Sequence, residues 1–329
     1  MSSLGLAVPP GFTVTTEVCD RFVCGGGYLP EGVWPAVLDN IRQLEKVTGK
    51  TFGGSSSPDA KPLLVSVRSG AAVSMPGMMD TLLSVGLNDA NVDSFAKAMK
   101  NERAAYDSFR RLLQMYGATV LGIPHEEFDH AMNKLKKSAG VETDSQLDAG
   151  NMKQLVKEYK AVYNKHGKVF PSDPYEQLYQ CISTVFNSWT SSRAVKYREA
   201  EGITGLLGTA VTVQAMVFGN LGSTSGTGVC FSRNPNTGDE ALYGEYLEDA
   251  QGEDVVAGIR TPLDIQQGMR VSHPQAYQQL VKNVRILESA FHDMQDIEFT
   301  VENEKLYLLQ TRSGKRTGSA GECSRERHR

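Results

Sequence analysis

Three stretches of the chain repeat apolar residues at helical spacing. Residues 34–47 carry one apolar stripe that stops at Gly49, which predicts a single helix. Residues 91–166 keep a helical pattern throughout, and residues 175–199 predict one further helix. Because strand-like segments precede and follow residues 91–166, the pattern predicts a helical subdomain inserted into an α/β unit.

Strand-like runs lie on both sides of that helical region. The run PLLVSV at residues 62–67 is almost continuously apolar, so it predicts a buried strand that ends at Arg68 and opens into a loop over residues 69–80. Residues 205–312 predict a second α/β lobe built from short strands. The remaining predicted strands lie at residues 11–16, 210–218, 229–232, 240–246 and 254–259.

The segment DIEFTVENEKLYLLQTR, residues 296–312, predicts a β-hairpin with charged residues at positions where a buried strand has apolar ones. Two strand-like runs, residues 297–301 and 306–311, flank the polar tripeptide ENE. Successive side chains of a strand point to opposite faces. The residues that share a face are Asp296, Glu298 and Thr300 on the first strand, and Leu308, Gln310 and Arg312 on the second.

The length of the turn decides whether these two polar sets point the same way. A three-residue loop, with Val301 opposite Lys305, puts both sets on one face, and Asp296 then lies opposite Gln310. A two-residue loop separates them. We predict the shared face, where two carboxylates, an amide and a guanidinium suit a hard divalent cation beside phosphate oxygens. The alternative is an ordinary half-exposed hairpin with a solvated charged face.

Two loops outside the hairpin are also candidates for phosphate binding. Arg68 leads into SGAAVSMPGMMD, whose glycines allow backbone N–H groups to approach an anion closely. This pattern favours a phosphate-binding lid, and the alternative is an exposed arginine before a simple connector. The run GNLGSTSGTG, residues 219–228, matches neither the GxGxxG fingerprint nor the P-loop pattern, so it supports neither a Rossmann nor a Walker site.

Size and composition describe an ordinary soluble protein. A length of 329 residues predicts two or three packed units. With 40% hydrophobic residues, 22% charged residues and a net charge of -4, we expect neither a nucleic-acid nor a membrane surface. The apolar runs are short and the N-terminus lacks a leader pattern, so we expect an intracellular protein. Five cysteines form no metal-binding pattern and are expected to be reduced, with neither disulfides nor zinc: Cys19, Cys24, Cys181, Cys230 and Cys323.

Several long blocks of the sequence are more specific than any short motif. They include VPPGFTVTT, VSVRSGAAVSMPGMMDT, GTGVCFSRNPNTG, YGEYLEDAQGEDVVAGIRTP and DMQDIEFTVENEKLYLLQTRSGKRTG. From about Leu4 to Gly318 the chain resembles the N-terminal nucleotide-binding region of the pyruvate phosphate dikinase family. The resemblance implies an α/β fold of the ATP-grasp type, in which two lobes hold ATP. The implied parts are a first lobe at residues 1–88, a helical insert at 89–173, a return to the first lobe at 174–217, a second lobe at 218–316 and an unmatched, disordered tail at 317–329.

The resemblance also implies an activity. The full enzyme of this family converts ATP, inorganic phosphate and pyruvate to AMP, pyrophosphate and phosphoenolpyruvate. Its nucleotide domain passes a pyrophosphoryl group to a histidine on a swivelling central domain, so ATP with Mg²⁺ and that phosphohistidine domain are the implied cofactor and partners. The expected chemistry is positioning and charge neutralisation rather than attack by a protein nucleophile. Homo-oligomers are expected only for the full-length enzyme, and the expected location is the cytoplasm, with a plastid or glycosome left open.

Individual residues receive roles from the same resemblance. Arg68 and Arg312 become catalytic, phosphate-binding arginines, and one of Arg110 and Arg111 joins them. The implied ligands or orienting groups for Mg²⁺ and the triphosphate are Asp296, Glu298 and Gln310. The implied nucleotide contacts are Thr227, Gly228, Glu245 and Glu253.

Two departures from the family pattern limit these expectations. The family has a nucleotide-binding lysine just before the block that LGLAVPPGF matches, and the chain starts at Met1, so weakened Mg-ATP binding is expected. The tail SAGECSRERHR matches nothing in the family, and no phosphohistidine or pyruvate domain follows, which indicates a fragment. Two alternatives stay open: a domain of the phosphoenolpyruvate synthase or glucan, water dikinase type, and a nucleotide-binding module without catalysis. The long helical insert and the NPNTG and QGEDVVAGIRTP blocks favour the dikinase.

Overall fold

The computed structural model describes residues 1–54, 61–256 and 260–317. The chain divides into two compact units, Pro10–Met216 on one side and Met1–Pro9 with Val217–Arg329 on the other. Three features predicted from the sequence lie outside the described residues: the tail beyond residue 317, the end of the strand predicted at residues 254–259, and Cys323.

The strands of the first unit are β1 (Gly11–Val14), β2 (Thr51–Phe52), β3 (Pro62–Leu63), β4 (Val65–Gly70), β5 (Thr81–Val85) and β6 (Ala210–Ala215). Four of them form an antiparallel sheet in the order β1-β6-β4-β5. The two short strands β2 and β3 pair with each other in parallel. Together with the helices of this unit, these strands form the mixed α/β class that the sequence predicts.

The strand predicted at residues 62–67 is interrupted in the structure. Leu64 separates β3 from β4, and its carbonyl oxygen accepts a hydrogen bond from Met216 N (2.9 Å). Arg68 lies inside β4 rather than at a strand end, with Thr81 and Thr212 opposite it on the neighbouring strands. The side chain of Arg68 thus belongs to the face of a sheet, not to the loop that follows.

The helices of this unit are α1 (Thr16–Cys24), α2 (Val33–Thr48), α3 (Val92–Met99), α4 (Glu102–Thr119), α5 (His125–Ala139), α6 (Ala149–Lys165), α7 (Pro174–Ser188) and α8 (Ser192–Ala200). The predicted stop at Gly49 is confirmed, because this residue adopts φ +65° and donates its N–H to Glu45 O (2.8 Å). The single helix predicted at residues 175–199 is wrong. It breaks after α7, and the Ser191 hydroxyl accepts a hydrogen bond from Ala194 N (3.3 Å) to begin α8.

Helices α3 to α6 confirm the helical pattern of residues 91–166. Many of their aromatic side chains are buried and meet edge to face, as in the pair Phe128 and Tyr159, whose ring centroids are 5.0 Å apart. Tyr116 makes the same kind of contact with Phe170 at 5.2 Å. Such pairs stabilise a core by about 0.5–1.5 kcal/mol beyond the burial of their area. The helical subdomain therefore has a dense aromatic core.

A buried ion network joins α4 to the chain that follows α5. Asp107 accepts hydrogen bonds from Arg110 Nε (2.8 Å) and Arg111 Nε (3.1 Å). Arg110 Nη2 also donates to Asp144 (3.4 Å). Burial by itself raises the pKa of Asp107, but the charges of Arg110, Arg111 and Arg103 outweigh it and lower the pKa to about 2. The network gives Arg110 and Arg111 a structural role, and a phosphate contact by one of them stays a prediction.

Acid is expected to destabilise the protein partly through Asp107. The pKa of Asp107 in the folded protein lies below the unfolded value of 3.8. Its contribution to the free energy of unfolding is therefore present above about pH 4 and is lost as the pH falls toward 2. The loss is about 2 kcal/mol in the free energy of unfolding. Urea titrations between pH 4.5 and pH 2.5 should show this loss in the parent chain and a smaller one in Asp107→Asn, while the exposed control Asp39→Asn follows the parent. Parallel pH profiles for the parent and Asp107→Asn would contradict the assignment.

The second unit contains β7 (Gly226–Phe231), β8 (Tyr243–Glu248), α9 (Gly252–Val256), β9 (Leu263–Asp264), α10 (Met269–Ser272), α11 (Pro274–Phe291), β10 (Gln295–Glu302) and β11 (Lys305–Ser313). Its strands form one antiparallel sheet in the order β11-β10-β7-β8-β9. The first residues of the chain belong to this unit, since Leu6 joins its core and Ala7 O accepts from Leu308 N (2.9 Å). The two units are thus interleaved in sequence.

Helix α11 packs on one face of this sheet. The buried residues that form the core there include Tyr246, Leu280, Val284, Leu287, Ile297, Phe299, Val301, Leu306 and Leu308. The strand predicted at residues 254–259 is wrong for residues 254–256, which belong to α9. Asp254 accounts for the difference, because its carboxylate accepts from Gln251 N (2.9 Å) and favours a helical turn.

Two further properties concern the described part of the chain as a whole. None of its helices combines the length and the apolar character needed to cross a lipid bilayer. Its four cysteines are free thiols: Cys19, Cys24, Cys181 and Cys230. Burial, with a smaller effect from the Asp296 carboxylate, raises the pKa of the Cys230 thiol, so this sulfur is a packing group rather than a reactive one.

Candidate functional site

The hairpin of β10 and β11 turns in two residues, so the predicted three-residue loop is wrong. Glu302 lies opposite Lys305, and Asn303 and Glu304 form the turn with φ angles of +48° and +65°. A tight hairpin turn of this type requires positive φ at both central residues, which asparagine tolerates well. With this turn alone, the two polar sets would lie on opposite faces.

A β-bulge in β11 restores the shared face. Phe299 lies opposite Leu308, but the next pair is Glu298 opposite Gln310, so Leu309 is the extra residue of the bulge. A bulge adds one residue to one strand and shifts every later side chain by one position. The prediction that Asp296, Glu298, Gln310 and Arg312 share a face is therefore confirmed, although the turn is not what brings them together. The prediction that Leu308 shares this face is wrong, because Leu308 precedes the bulge and lies in the core.

The pairing within the face also differs from the prediction. Asp296 lies opposite Arg312 rather than Gln310, and Gln310 lies opposite Glu298. Arg312 Nε donates to Asp296 Oδ2 (2.8 Å), and its Nη2 is 3.9 Å from Glu298 Oε1. The side chains of Asp296, Glu298 and Arg312 are 18%, 27% and 33% exposed. Because these side chains are partly buried, solvent screens the ion pair of Arg312 and Asp296 less than it would at an open surface.

Thr227 extends this face onto the next strand. It lies opposite Thr300, is 2% exposed, and donates its hydroxyl hydrogen to Phe299 O (3.1 Å) or shares it with the Thr300 hydroxyl (3.3 Å). Glu245 of β8 is exposed and lies on the same face, because it pairs with Val229 of β7, which in turn pairs with Glu298. The structure therefore brings Thr227 and Glu245 to the face of the predicted metal and phosphate residues.

Asp264 is a further acidic residue of this face that the sequence did not single out. It lies opposite Glu245 in the pairing of β8 with β9. Strand β9 contains two residues, so the alternation that would have signalled its orientation is too short to detect in the sequence. Its register with β8 is the observation that places Asp264 here.

Gly228 has a packing reason for being glycine. Its neighbours in register, Phe299 and Tyr246, belong to the helix-covered face. A Cβ atom at Gly228 would lie 2.5 Å from Phe299 Cζ and 2.5 Å from Glu245 O, which is closer than real Cβ contacts allow. Close packing of the core therefore requires glycine here, and a nucleotide contact of Gly228 would have to use its backbone.

The other predicted residues lie outside the hairpin and the strands β7 and β8. Glu253 is half-buried in α9, which packs against β7 and β8. Arg68 belongs to the other unit and is half-buried on β4. In that unit, Arg193 Nε donates to Met78 O (3.1 Å) and its guanidinium also binds Asp80, so the end of the predicted phosphate-binding loop is anchored to α8.

A cavity of about 650 Å³ in the second unit lies away from the hairpin face. It is lined by α11 and by the chain around Arg233 and Glu240. Arg233 Nη1 donates to Glu240 Oε1 (3.3 Å) and Arg233 also binds Glu288. These charges are paired with one another, and no residue assigned to the nucleotide or the metal lines the cavity. The hairpin face is therefore the better candidate site.

The donor atoms of the hairpin face fit Mg²⁺. Carboxylate and amide oxygens are the hard ligands that this ion prefers, and Asp296, Glu298 and Gln310 supply them. Within the described ranges, no three His, Cys, Asp or Glu residues form a group able to hold a metal by themselves. A cation at this face would therefore take the rest of its ligands from phosphate oxygens and water, as Mg²⁺ commonly does at nucleotide sites.

Comparison with known sequences identifies the family. The family model described as "Pyruvate phosphate dikinase, AMP/ATP-binding domain" matches residues 27–270 and 265–328. The chain belongs to this family. The resemblance predicted from the sequence blocks is thereby confirmed, and the observed mixture of helices and strands agrees with an α/β nucleotide-binding domain.

Plant dikinases are similar to nearly the whole chain. "Pyruvate, phosphate dikinase 1, chloroplastic" of Arabidopsis thaliana is 54% identical over 319 residues, which cover 97% of this chain and 32% of that protein. "Pyruvate, phosphate dikinase 2" of Zea mays is 55% identical over 321 residues, which cover 97% of this chain and 36% of that protein. The chain thus spans about a third of the length of these relatives.

Proposed function

We propose that this chain is the ATP-binding, pyrophosphoryl-donating domain of a pyruvate phosphate dikinase. In the full enzyme, ATP, inorganic phosphate and pyruvate would give AMP, pyrophosphate and phosphoenolpyruvate. The observation that carries the proposal is the convergence of two carboxylates, an amide and a guanidinium on one sheet face of a chain in this family. The ATP-grasp arrangement, with Mg²⁺ as the ion bound together with ATP, is part of the proposal.

The hairpin residues have complementary roles in this proposal. Oxygen atoms of Asp296, Glu298 and Gln310 hold the cation, whose charge offsets that of the phosphates. Arg312 binds Asp296 in the structure described above. When Asp296 turns to the cation, the Arg312 guanidinium is released to form bidentate hydrogen bonds with phosphate oxygens. Arg68 of the other unit is proposed as a second phosphate-binding arginine, and Thr227, Gly228, Glu245 and Glu253 as nucleotide contacts.

The acceptor of the pyrophosphoryl group is proposed to be a histidine of a separate phosphohistidine domain. The names of the relatives favour a dikinase over the phosphoenolpyruvate synthase and glucan, water dikinase types. Several of those relatives are named chloroplastic, which supports a plastid as the proposed location. A catalytically inert nucleotide-binding module remains the second candidate, and transfer to a phosphohistidine domain distinguishes it from a donor domain.

Titration calorimetry tests the proposed function. We expect saturable binding of ATP that depends on Mg²⁺, weakened about tenfold to a hundredfold in Glu298→Gln, because a charged ligand of the ion is lost. Glu201→Gln, which neutralises an exposed glutamate after α8, is the matched control and should bind as the parent does. Absence of heat with millimolar Mg-ATP on folded protein would contradict the proposal.

A further inference from the structure

The turn of the β10–β11 hairpin holds the glycine-rich segment, defined here as residues 218–225. Glu302 Oε1 accepts a hydrogen bond from Phe218 N (2.9 Å), at the start of the segment. Asn303 N donates to Ser225 Oγ (3.0 Å), and Glu304 N donates to the carbonyl oxygen of Thr224 (2.8 Å), at its end. The last residue of β10 and both turn residues therefore contact the segment, and together they hold both of its ends.

The side chains of Thr224 and Asn303 add a fourth contact. The Thr224 hydroxyl donates to Asn303 Oδ1 (3.2 Å). Asn303 is therefore in contact with the segment through its backbone and through its side chain. Its φ of +48° explains why this position carries asparagine, since most other side chains are strained there.

A buried histidine anchors the turn from the other side. His273, at the start of α11, is fully buried, and its Nδ1 lies 3.0 and 3.1 Å from the two carboxylate oxygens of Glu304. The His273 ring meets the ring of Tyr246 edge to face at 5.7 Å. The Tyr246 hydroxyl lies directly over Gly226, where a Cβ atom would come within 2.0 Å of it. The turn, α11 and β8 thus enclose the end of the glycine-rich segment.

The segment leads directly into the candidate site. Gly226 begins β7, and the next residue is Thr227, whose side chain lies on the metal and phosphate face. The same hairpin carries Asp296 and Arg312 at its far end. The β10–β11 hairpin therefore carries the charged residues at one end and contacts the glycine-rich segment at the other.

We propose that Glu302, Asn303 and Glu304 are positioning residues that keep the glycine-rich segment aligned with the metal and phosphate face. This inference rests on the proposed function for its effect on nucleotide, but the anchoring itself does not. Glu302 is the most informative of the three, because a carboxylate that accepts from a backbone N–H makes a charge-assisted hydrogen bond. Its loss removes the hydrogen bond that Phe218 N donates at the start of the segment, while the hairpin ladder remains intact.

Glu302→Ala and Glu302→Gln form a matched pair for the test. Glutamine keeps an oxygen acceptor of the same reach, whereas alanine has none. Hydrogen exchange of the nucleotide-free chain should show amides of residues 218–225 exchanging about tenfold to a hundredfold faster in Glu302→Ala, and near the parent rate in Glu302→Gln. Amides of the α4–α6 subdomain should be unchanged in both variants. Unchanged exchange in Glu302→Ala, or faster exchange throughout the second unit, would overturn the proposal.

Calorimetry with Mg-ATP supplies the second readout. Glu302→Ala should weaken Mg-ATP binding about tenfold, and Glu302→Gln should restore it, because ordering a loosened segment lowers the apparent affinity. Faster amide exchange in Glu302→Ala without weaker Mg-ATP binding would overturn the claim that these residues align the segment with the site. If the parent chain binds no Mg-ATP, the proposed function fails, and the exchange comparison by itself still decides whether the turn holds the segment.

Discussion

Replacing Arg312 by alanine is expected to lower pyrophosphoryl transfer by about a thousandfold or more. The assay supplies the chain with Mg²⁺, ATP labelled at the β-phosphate and the proposed phosphohistidine domain as a separate protein, and follows label on its histidine. The parent reaction should be slow, since the separate domain lacks the effective concentration that a covalent tether provides. Arg312 lies beside both carboxylates of the site, so its loss removes the group that would neutralise charge on the transferred phosphates.

Two controls define the role of Arg312. Arg312→Lys keeps the positive charge but loses the planar fork, so transfer should be intermediate. Arg316→Ala removes an arginine four residues later that binds Asp293, and it should transfer as the parent does. Equal transfer by Arg312→Ala and Arg316→Ala would show that the guanidinium on the candidate face has no part in the reaction.

Deleting Thr311 is expected to abolish Mg-ATP binding by the chain. In the observed pairing Thr311 lies opposite Ile297. Without Thr311, the residue after Gln310 is Arg312, which then falls opposite Ile297 on the core side of the sheet. The site loses its guanidinium, and the core gains a charge that has no partner, which is costly. Calorimetry measures the loss, and circular dichroism with thermal unfolding establishes whether the rest of the fold survives.

Deletion of Leu309 is the matched control, two residues away in the same strand. Leu309 is the extra residue of the bulge, so a regular ladder that continues from the two-residue turn still puts Gln310 opposite Glu298 and Arg312 opposite Asp296. Binding should stay within about tenfold of the parent. A loss as large as that caused by deleting Thr311 would show that the site needs the local twist of the bulge, and not the pairing alone.

The hairpin shows how far the sequence could be interpreted. Alternation of polar and apolar residues identified the strands and the polar residues that meet on one face. The pattern could not distinguish a three-residue turn from a two-residue turn followed by a bulge. Each arrangement has one residue more than a two-residue turn with a regular ladder, so both put the polar residues on the same face. Only the pairing of β10 with β11 resolves the two, since it skips Leu309.

Other errors have the same origin. The strand at Leu64 breaks where its carbonyl bonds to Met216, which is more than a hundred residues away and invisible to local periodicity. The strand predicted over residues 254–259 rests on a local preference for extended backbone. The hydrogen bond of the Asp254 side chain with Gln251 N overrides this preference at residue 254. By contrast, the helical pattern of residues 91–166 and the stop at Gly49 depend on nearby residues, and the structure agrees with them.

The interleaving of the two units has a consequence for synthesis on the ribosome. Leu6 belongs to the core that α11 and β11 complete, and Ala7 pairs with Leu308, about 300 residues later in the chain. At roughly 5–20 residues per second, these residues wait about 15–60 s for their partners. The unit Pro10–Met216 has all of its strands within one continuous stretch and can fold in that interval. Its folding shortens the loop that separates the early residues from their late partners, which lowers the entropy cost of closing the second unit.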